Sequence, residues 1–207
     1  MSTYNGAKFI REQIESVLNQ SVDVRLIIRD DGSTDETLTI LKEYEEMGKI
    51  ELHAGENIGV VNSFFCLLRN APTSDYYAFC DQDDFWLPNK LEVAINFLKS
   101  TPSEPYLYCS DVVPVNENLE RINVKAKKRK YKLTFAESLV QAVAPGCTFV
   151  FNNKLKELFS LAKNIENVSI HDWFIHKLCA ACGKVYYDEN AYNYLLLEKK
   201  GIPYGSI

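Results

Sequence analysis

The sequence predicts an α/β fold in which a mainly parallel central sheet carries helices on both faces. Over residues 7–113, apolar segments with helical spacing alternate with short apolar segments typical of strands, and such alternation indicates parallel strands joined by crossover helices. The length of 207 residues corresponds to about one domain, and 46% hydrophobic with 25% charged residues is the balance of a globular protein. Because no linker or internal repeat interrupts the chain, we expect residues 1–207 to form a single domain.

The first elements can be justified one after another. Apolar residues at helical spacing predict a helix over residues 7–20, and the apolar run 24–29 predicts a strand. Ser33 and Glu36 have the spacing of a capping box, which predicts the start of the next helix. Gly48 predicts the end of that helix, because glycine adopts the left-handed conformation that commonly follows a last turn.

The remaining predicted elements follow in the same manner. They are strand 50–53, a helix around 61–68, strand 76–80, helix 90–100, strand 106–113, strand 147–152, helix 155–162, helix 171–182 and strand 185–188. In sheets of this kind, binding sites lie beyond the carboxyl ends of the strands. We therefore expect the functional residues immediately after strands 24–29 and 76–80.

Both of these strands end in aspartate-rich segments. After strand 76–80, Asp81 and Asp83 point the same way in extended backbone, and two neighbouring carboxylates repel each other unless a cation lies between them. Mg²⁺ or Mn²⁺ would suit these oxygen ligands and would keep open positions for a diphosphate. The alternative interpretation is that the acidic residues only cap the helices that follow.

Asp30, at the end of strand 24–29, suggests a second role. An ionised carboxylate only accepts hydrogen bonds, so it can bind the ring N–H of uracil or thymine, whereas cytosine offers no such donor. A solvated turn explains this residue, taken alone, equally well.

Charge and hydropathy exclude several classes of protein. Lys and Arg number 23 and Asp and Glu 28, so the net charge of −5 argues against a nucleic-acid binder. No apolar run is long enough for a membrane-spanning helix, and no secretory signal is present, so we expect a cytoplasmic protein. The basic segment 125–132 is interpreted either as a solvated loop or as a surface that meets an anionic acceptor at the membrane.

Five short motifs occur in order along the chain. They are Thr3–Gly6, Arg29–Asp35, Glu56–Gly59, Cys80–Lys90 and His171–Trp173. Together they resemble the family 2 glycosyltransferases of the GT-A fold, especially the bacterial branch described as rhamnosyltransferase-like. The resemblance covers about residues 2–190 and implies a GT-A nucleotide-diphospho-sugar transferase fold. It also implies a nucleotide-sugar-binding half, residues 1–113, and an acceptor-side half, residues 114–207.

The resemblance further implies an activity and the residues that perform it. Family members transfer a sugar from a nucleotide diphosphate, here a UDP- or dTDP-sugar, to a hydroxyl of a saccharide or lipid-linked acceptor, with inversion and a divalent metal. Asp172 matches the catalytic base and Asp83 the metal ligand. The residues expected at the nucleotide sugar are Thr3, Tyr4, Asn5, Asp30, Asp31, Asn57, Asp81 and Gln82, and the candidate acceptor contacts are Trp86 and Trp173.

Alternatives remain for two of these residues and for the activity. Asp172 could serve only as a carboxylate at a helix N-terminus, and Trp173 could belong to the core. The family pattern begins with a buried strand before Thr3, so we expect that strand to be missing and the native chain to start upstream of Met1. The segment 193–200 lacks the histidine with which members often hold the metal, which keeps a truncated, non-catalytic sugar-nucleotide-binding relative open.

Overall fold

The computed structural model describes residues 1–101, 103–123, 133–163, 165 and 168–197. The strands in these ranges are β1 (Ser2–Thr3), β2 (Ile27–Asp30), β3 (Glu51–Ala54), β4 (Tyr76–Ala78), β5 (Phe85–Trp86), β6 (Tyr106–Val115), β7 (Val150–Asn152) and β8 (Lys184–Leu196). The helices are α1 (Ile10–Leu18), α2 (Thr37–Glu46), α3 (Val60–Asn70), α4 (Lys90–Lys99), α5 (Phe135–Ser138), α6 (Asn153–Leu161) and α7 (His171–Cys182). A 3₁₀ turn, Gly146–Thr148, leads into β7.

The strands form two sheets. β1, β2 and β3 pair in that order and in parallel, with Thr3 opposite Asp30. The second sheet has the order β4-β7-β6-β8-β5, in which β6 and β8 are parallel and the other pairs are antiparallel. The predicted α/β class is therefore confirmed. The larger sheet is mixed rather than mainly parallel as predicted, since three of its four strand pairs are antiparallel. The antiparallel pairs involve β7 and β8, which come from the C-terminal part of the chain, where the alternation of elements breaks down.

Two apolar cores lie on opposite faces of this second sheet. Successive residues of β6 show this directly, because Tyr108 packs into one core while Leu107 and Cys109 pack into the other. The first core receives the buried faces of α1, α2 and α4, and the second receives those of α3, α6 and α7. The prediction of helices on both faces is thus confirmed.

The predicted capping box at Ser33 and Glu36 is wrong. The Ser33 hydroxyl donates to Asp30 at 2.5 Å, and α2 begins at Thr37, whose backbone N–H donates to Asp35 at 3.0 Å. Glu36, not Ser33, precedes the first residue of α2, and the Ser33 oxygen accepts from the N–H of Asn5 instead of from a helix N–H. Gly48 ends the helix as predicted, with a φ of 69° and its N–H on the carbonyl of Glu45.

At the N-terminus, Ser2–Thr3 forms β1 beside β2, where the family pattern places the end of its first strand. The N–H of Arg29 donates to the carbonyl of Met1 at 3.0 Å, and the N–H of Asp31 donates to that of Thr3 at 2.8 Å. At the other end, β8 is much longer than the predicted strand 185–188, and it pairs with β6 almost throughout. The division of the chain at residue 113 stays a prediction, and the basic segment 125–132 lies outside the described residues.

Candidate active site

A cleft of about 430 Å³ opens at the carboxyl ends of β1, β2 and β4. Seven of the residues predicted for nucleotide sugar and metal line it, namely Thr3, Tyr4, Asp31, Asn57, Asp81, Gln82 and Asp83. Asn5 and Asp30 are not part of its lining. The cleft thus brings together residues about 80 positions apart in sequence that follow strands of the two different sheets.

Gln82 holds the loop after β1 in place. Its Oε1 accepts from the Thr3 hydroxyl at 2.7 Å and from the Tyr4 N–H at 2.8 Å, and its Nε2 donates to the Tyr4 carbonyl at 3.2 Å. An added Cβ at Gly6 would lie 2.5 Å from the same Oε1. The middle residue of the aspartate motif is therefore a clamp on the neighbouring wall of the cleft.

Asn5 bonds the loop after β2. Its backbone N–H donates to Ser33 Oγ at 2.9 Å, and its side-chain oxygen accepts from the Thr34 N–H at 2.8 Å. Its φ is 50°, a left-handed conformation that asparagine tolerates better than most residues. In this structure Asn5 shapes the rim rather than lining the cleft.

Asp30 is the predicted residue that departs most clearly from its expected place. It is 1% exposed, and its carboxylate accepts from the N–H of Ser33 at 3.0 Å and from the Ser33 hydroxyl at 2.5 Å. The neighbouring carboxylate, Asp31, is the one that lines the cleft.

Asp31 joins β2 to the start of α3. It pairs with the buried guanidinium of Arg29 and accepts from the backbone N–H groups of Ile58 and Gly59, both at 2.9 Å. Arg29 also donates to the carbonyl of Glu56 at 2.9 Å. Sequence reasoning missed this ion pair, because nothing in an Arg-Asp-Asp run says which carboxylate turns back onto the arginine.

The second wall of the cleft is crowded with negative charge. Burial raises the pKa of Asp81 well above its ordinary value, and the nearby carboxylates of Asp84, Asp83 and Asp172 raise it further. Asp84 is 5% exposed, and its Oδ2 has no hydrogen-bond partner among the described residues. Grouped oxygen ligands with an unsatisfied buried carboxylate oxygen fit a divalent cation, so the donor set is compatible with Mg²⁺ or Mn²⁺.

Below these carboxylates lies a buried lysine. Lys90 is 1% exposed, its ammonium donates to the carbonyl of Cys147, and it stands 3.6 Å from the centre of the Trp86 ring. Burial lowers the pKa of Lys90 to about 8. Trp86 itself is 2% exposed and belongs to the core, so its prediction as an acceptor contact is wrong: the ring packs inward against Lys90.

Asp172 lies in the first turn of α7. Its Oδ2 accepts from the N–H of Gly146 at 2.8 Å, and its Oδ1 accepts from the N–H of Trp173 at 2.5 Å. Burial raises the pKa of Asp172 above its ordinary value, and these two backbone bonds only partly oppose the shift. The effect of Asp172 on the pKa of Asp81 places the two carboxylates in the same electrostatic environment.

The residues around Asp172 are aromatic and apolar. Trp173 is half-buried, and its indole N–H donates to the carbonyl of Ser138 at 2.6 Å, so its role as an acceptor contact stays a prediction. His171 is 6% exposed and stacks on Phe64, a residue of the cleft, at 3.8 Å between ring centres. Burial lowers the pKa of His171 to about 3, so its ring is neutral at ordinary pH.

Comparison with protein families and curated proteins gives a consistent result. The model of the family described as "Glycosyl transferase family 2" matches residues 1–159. The dTDP-rhamnosyl transferase RfbG of Shigella flexneri is 31% identical over 188 residues, which cover 85% of this chain and 63% of that protein. The chondroitin synthase of Escherichia coli is 32% identical over 120 residues, or 57% of this chain and 17% of its own length.

Solved structures share the fold at low sequence identity. TarS 1–349 of S. aureus in complex with UDP-GlcNAc has a TM-score of 0.70 and 20% identity, over 97% of this chain and 58% of that one. The mannosyltransferase PcManGT of Pyrobaculum calidifontis in complex with GDP-Man and Mn²⁺ has a TM-score of 0.67 and 20% identity, over 97% and 56%. The chain therefore spans a little over half of the length of these structures and under two thirds of RfbG.

Proposed function

We propose, because the chain belongs to glycosyl transferase family 2, that it moves a sugar from a UDP- or dTDP-sugar to a hydroxyl of a saccharide or lipid-linked acceptor, with inversion, in the synthesis of a cell-surface polysaccharide. The observation that carries this proposal is the cleft, where the β1 loop, Asp31 and the Asp81–Asp83 segment meet at one edge of the strands. The donor named in RfbG and the UDP-GlcNAc bound by TarS support thymidine or uridine carriers.

Asp172 is the proposed general base. In an inverting displacement the acceptor hydroxyl gives its proton to the carboxylate, its oxygen bonds to the anomeric carbon, and the bond from that carbon to the diphosphate breaks. Since burial raises the pKa of Asp172, its ionised form is a stronger base than an exposed aspartate. The two backbone N–H groups on its oxygens fix the direction from which it approaches the hydroxyl.

Asp83, with Asp81 beside it, is the proposed holder of Mg²⁺ or Mn²⁺. A bound divalent cation stabilises the negative charge that develops on a departing diphosphate. The chain's own contribution is the grouping of Asp81, Asp83 and Asp84, whose mutual repulsion a cation relieves.

The nucleotide is proposed to lie between the β1 loop and the start of α3. Thr3, Tyr4 and Gln82 form one wall, and Asp31 and Asn57 the other. We assign the carboxylate nearest the donor to Asp31 rather than Asp30, because Asp31 lines the cleft and Asp30 does not.

The protein is proposed to bind peripherally to the cytoplasmic face of a membrane when it transfers the sugar to its acceptor. The basic segment 125–132 is followed by three exposed apolar side chains, Phe135, Leu139 and Val140, with exposures of 46%, 54% and 77%. Basic and apolar residues together favour anionic lipid surfaces. Among the described helices, none has the length and apolar character of a membrane span. Sedimentation with anionic and with neutral liposomes tests the proposal, which predicts salt-sensitive binding to the anionic ones only.

The proposed function is tested by binding first and by turnover second. Thermal unfolding is followed with UDP, dTDP and GDP, each with and without Mn²⁺, because a ligand of the folded state raises the melting temperature. We expect a metal-dependent rise with UDP or dTDP that Asp83→Asn loses and the exposed control Glu157→Gln keeps. No rise with any nucleotide would contradict the proposal.

The alternative is a relative that binds sugar nucleotides without transferring them. It is distinguished by incubating the protein with Mn²⁺ and dTDP-rhamnose or UDP-GlcNAc, and measuring the release of dTDP or UDP with and without saccharide acceptors. Binding without any release would support the alternative, and acceptor-dependent release would contradict it.

A further inference from the structure

We propose that Lys90 is a positioning residue for Asp172, which it reaches through the Pro145–Thr148 turn. The buried ammonium holds one carbonyl of this turn, and the adjacent backbone N–H of the turn orients the Asp172 carboxylate. The inference rests on the proposed function in one respect, the role of Asp172 as the base.

The turn is tight and buried. The N–H and the hydroxyl of Thr148 both donate to the carbonyl of Pro145, at 3.0 and 2.8 Å, and the N–H of Phe149 donates to that of Gly146 at 2.9 Å. Gly146, Cys147 and Thr148 are all buried. Such a segment moves as a unit, so a displacement at Cys147 reaches Gly146.

One side of the turn is anchored by polar groups in the interior. The ammonium of Lys90 donates to the Cys147 carbonyl, and Asn193 Nδ2 lies 3.5 Å from the Cys147 sulfur. A carboxylate oxygen of Asp84 lies within 4.8 Å of the same sulfur. A buried ammonium is costly unless it is hydrogen-bonded. The hydrogen bond to the Cys147 carbonyl therefore stabilises the buried ammonium of Lys90, and the same bond fixes the position of the carbonyl.

The other side of the turn contacts the base. The N–H of Gly146 donates to Asp172 Oδ2 at 2.8 Å, and a Cβ added at Gly146 would lie 2.5 Å from the Cβ of Asp172. This approach leaves room only for glycine, so the position of the carboxylate follows the position of the turn. Lys90 thus acts on Asp172 across two backbone groups, and it lies seven residues beyond the proposed metal ligand Asp83.

The test compares Lys90→Met with Lys99→Met, the latter an exposed lysine at the other end of α4. The carboxyl groups are labelled with ¹³C-aspartate, the Asp172 signal is identified by its loss in Asp172→Asn, and its pKa is measured by NMR titration. The charged group that faces Asp172 from another element is Asp81, and both lysine variants leave it in place.

We expect Lys90→Met to raise the pKa of Asp172 by about one unit, because a weakened hydrogen bond to the charged form favours the protonated form. We also expect kcat to fall about 10- to 100-fold with the KM for the donor within twofold, as a misplaced catalytic group does. Lys99→Met should leave both quantities unchanged.

A second variant covers the case in which Lys90→Met does not fold. Gly146→Ala displaces Asp172 from the other side of the turn without removing a buried charge, and should change the same pKa and the same kcat. An unchanged Asp172 pKa and kcat in the folded variants, or a loss of stability alone, would overturn the inference. Absence of transfer by the wild-type chain would contradict the proposed function instead, and the NMR titration would still test the link from Lys90 to Asp172.

Discussion

Asp31 and Asp172 are both carboxylates that accept two backbone N–H groups near the start of a helix, but their surroundings treat the negative charge differently. Asp31 binds the N–H groups of Ile58 and Gly59 and forms an ion pair with Arg29. Asp172 binds those of Gly146 and Trp173, and among the described residues no cationic side chain lies within 4 Å of it.

The difference separates a carboxylate that holds the backbone from one that can exchange a proton. A guanidinium compensates the charge of Asp31 and adds an ion pair to its two backbone hydrogen bonds. Among the described residues Asp172 has no such cationic partner, and burial raises its pKa. One carboxylate is thus suited to shaping the cleft, and the other to accepting a proton.

The largest expected effect is that of Asp172→Asn, which removes the proposed base. We expect kcat to fall about 10³-fold, or about 4 kcal/mol, while the dissociation constant for UDP or dTDP stays within about twofold. Turnover assays and titration calorimetry on the same preparation measure the two quantities. Equal losses of binding and turnover would show that Asp172, like Asp31, mainly maintains structure.

The next effect concerns the ion pair that sets Asp31 apart. Arg29→Met leaves a buried charge without its partner, so we expect the free energy of unfolding to fall by about 3–5 kcal/mol in urea titrations. The matched control is Arg25→Met, which removes an exposed pair with Glu51 and should change stability little. Equal losses of stability in the two variants would show that the buried ion pair with Arg29 does not set Asp31 apart from Asp172.

The pH dependence sharpens the same contrast. Asp172 must be ionised to accept a proton, and its pKa is raised, so kcat should decline with falling pH at a higher pH than for an ordinary carboxyl group. Between the ordinary pKa and the raised one, the folded chain binds more protons than the unfolded chain, so this group's contribution to stability falls as pH rises. Rate profiles and urea titrations from pH 4 to 8 measure both. A kcat that is flat down to the ordinary carboxyl pKa would contradict the prediction.

The smallest predicted effect comes from His171, next to Asp172. Burial lowers the pKa of His171 to about 3. Between pH 6.5 and pH 3 the histidine is therefore protonated in the unfolded chain and neutral in the folded chain. The free energy of unfolding consequently decreases as the pH falls. The loss is about 1 kcal/mol from pH 7 to 5.5, given 1.4 kcal/mol per pH unit. His171→Phe should reduce this slope, whereas the exposed control His53→Phe should not.

The sequence was sufficient for the fold and for the cleft, because both follow from hydrophobic periodicity and from strand ends. Helix α7 has the predicted bounds, His171–Cys182, since apolar spacing defines it and Gly183 follows. Seven predicted residues line the cleft because they follow the ends of β1, β2 and β4.

The remaining features depend on contacts that no local pattern contains. The bond from Gly146 to Asp172 joins residues 26 positions apart. The oxygen of Ser33, which the capping pattern assigns to a helix N–H, accepts from the N–H of Asn5, 28 positions away. Trp86 was misplaced because a motif gives the order of residues but not the face of a two-residue strand on which a side chain lies.

The clamp formed by Gln82 has a consequence for how this protein can diverge. Any replacement at position 82 must still accept from Thr3 and Tyr4 and must fit against Gly6. We therefore expect these four positions to change together among relatives, although about 80 residues separate position 82 from the other three. In chimaeras of relatives, exchanging the first loop alone should fail, and exchanging it together with the centre of the aspartate motif should restore the wall of the cleft.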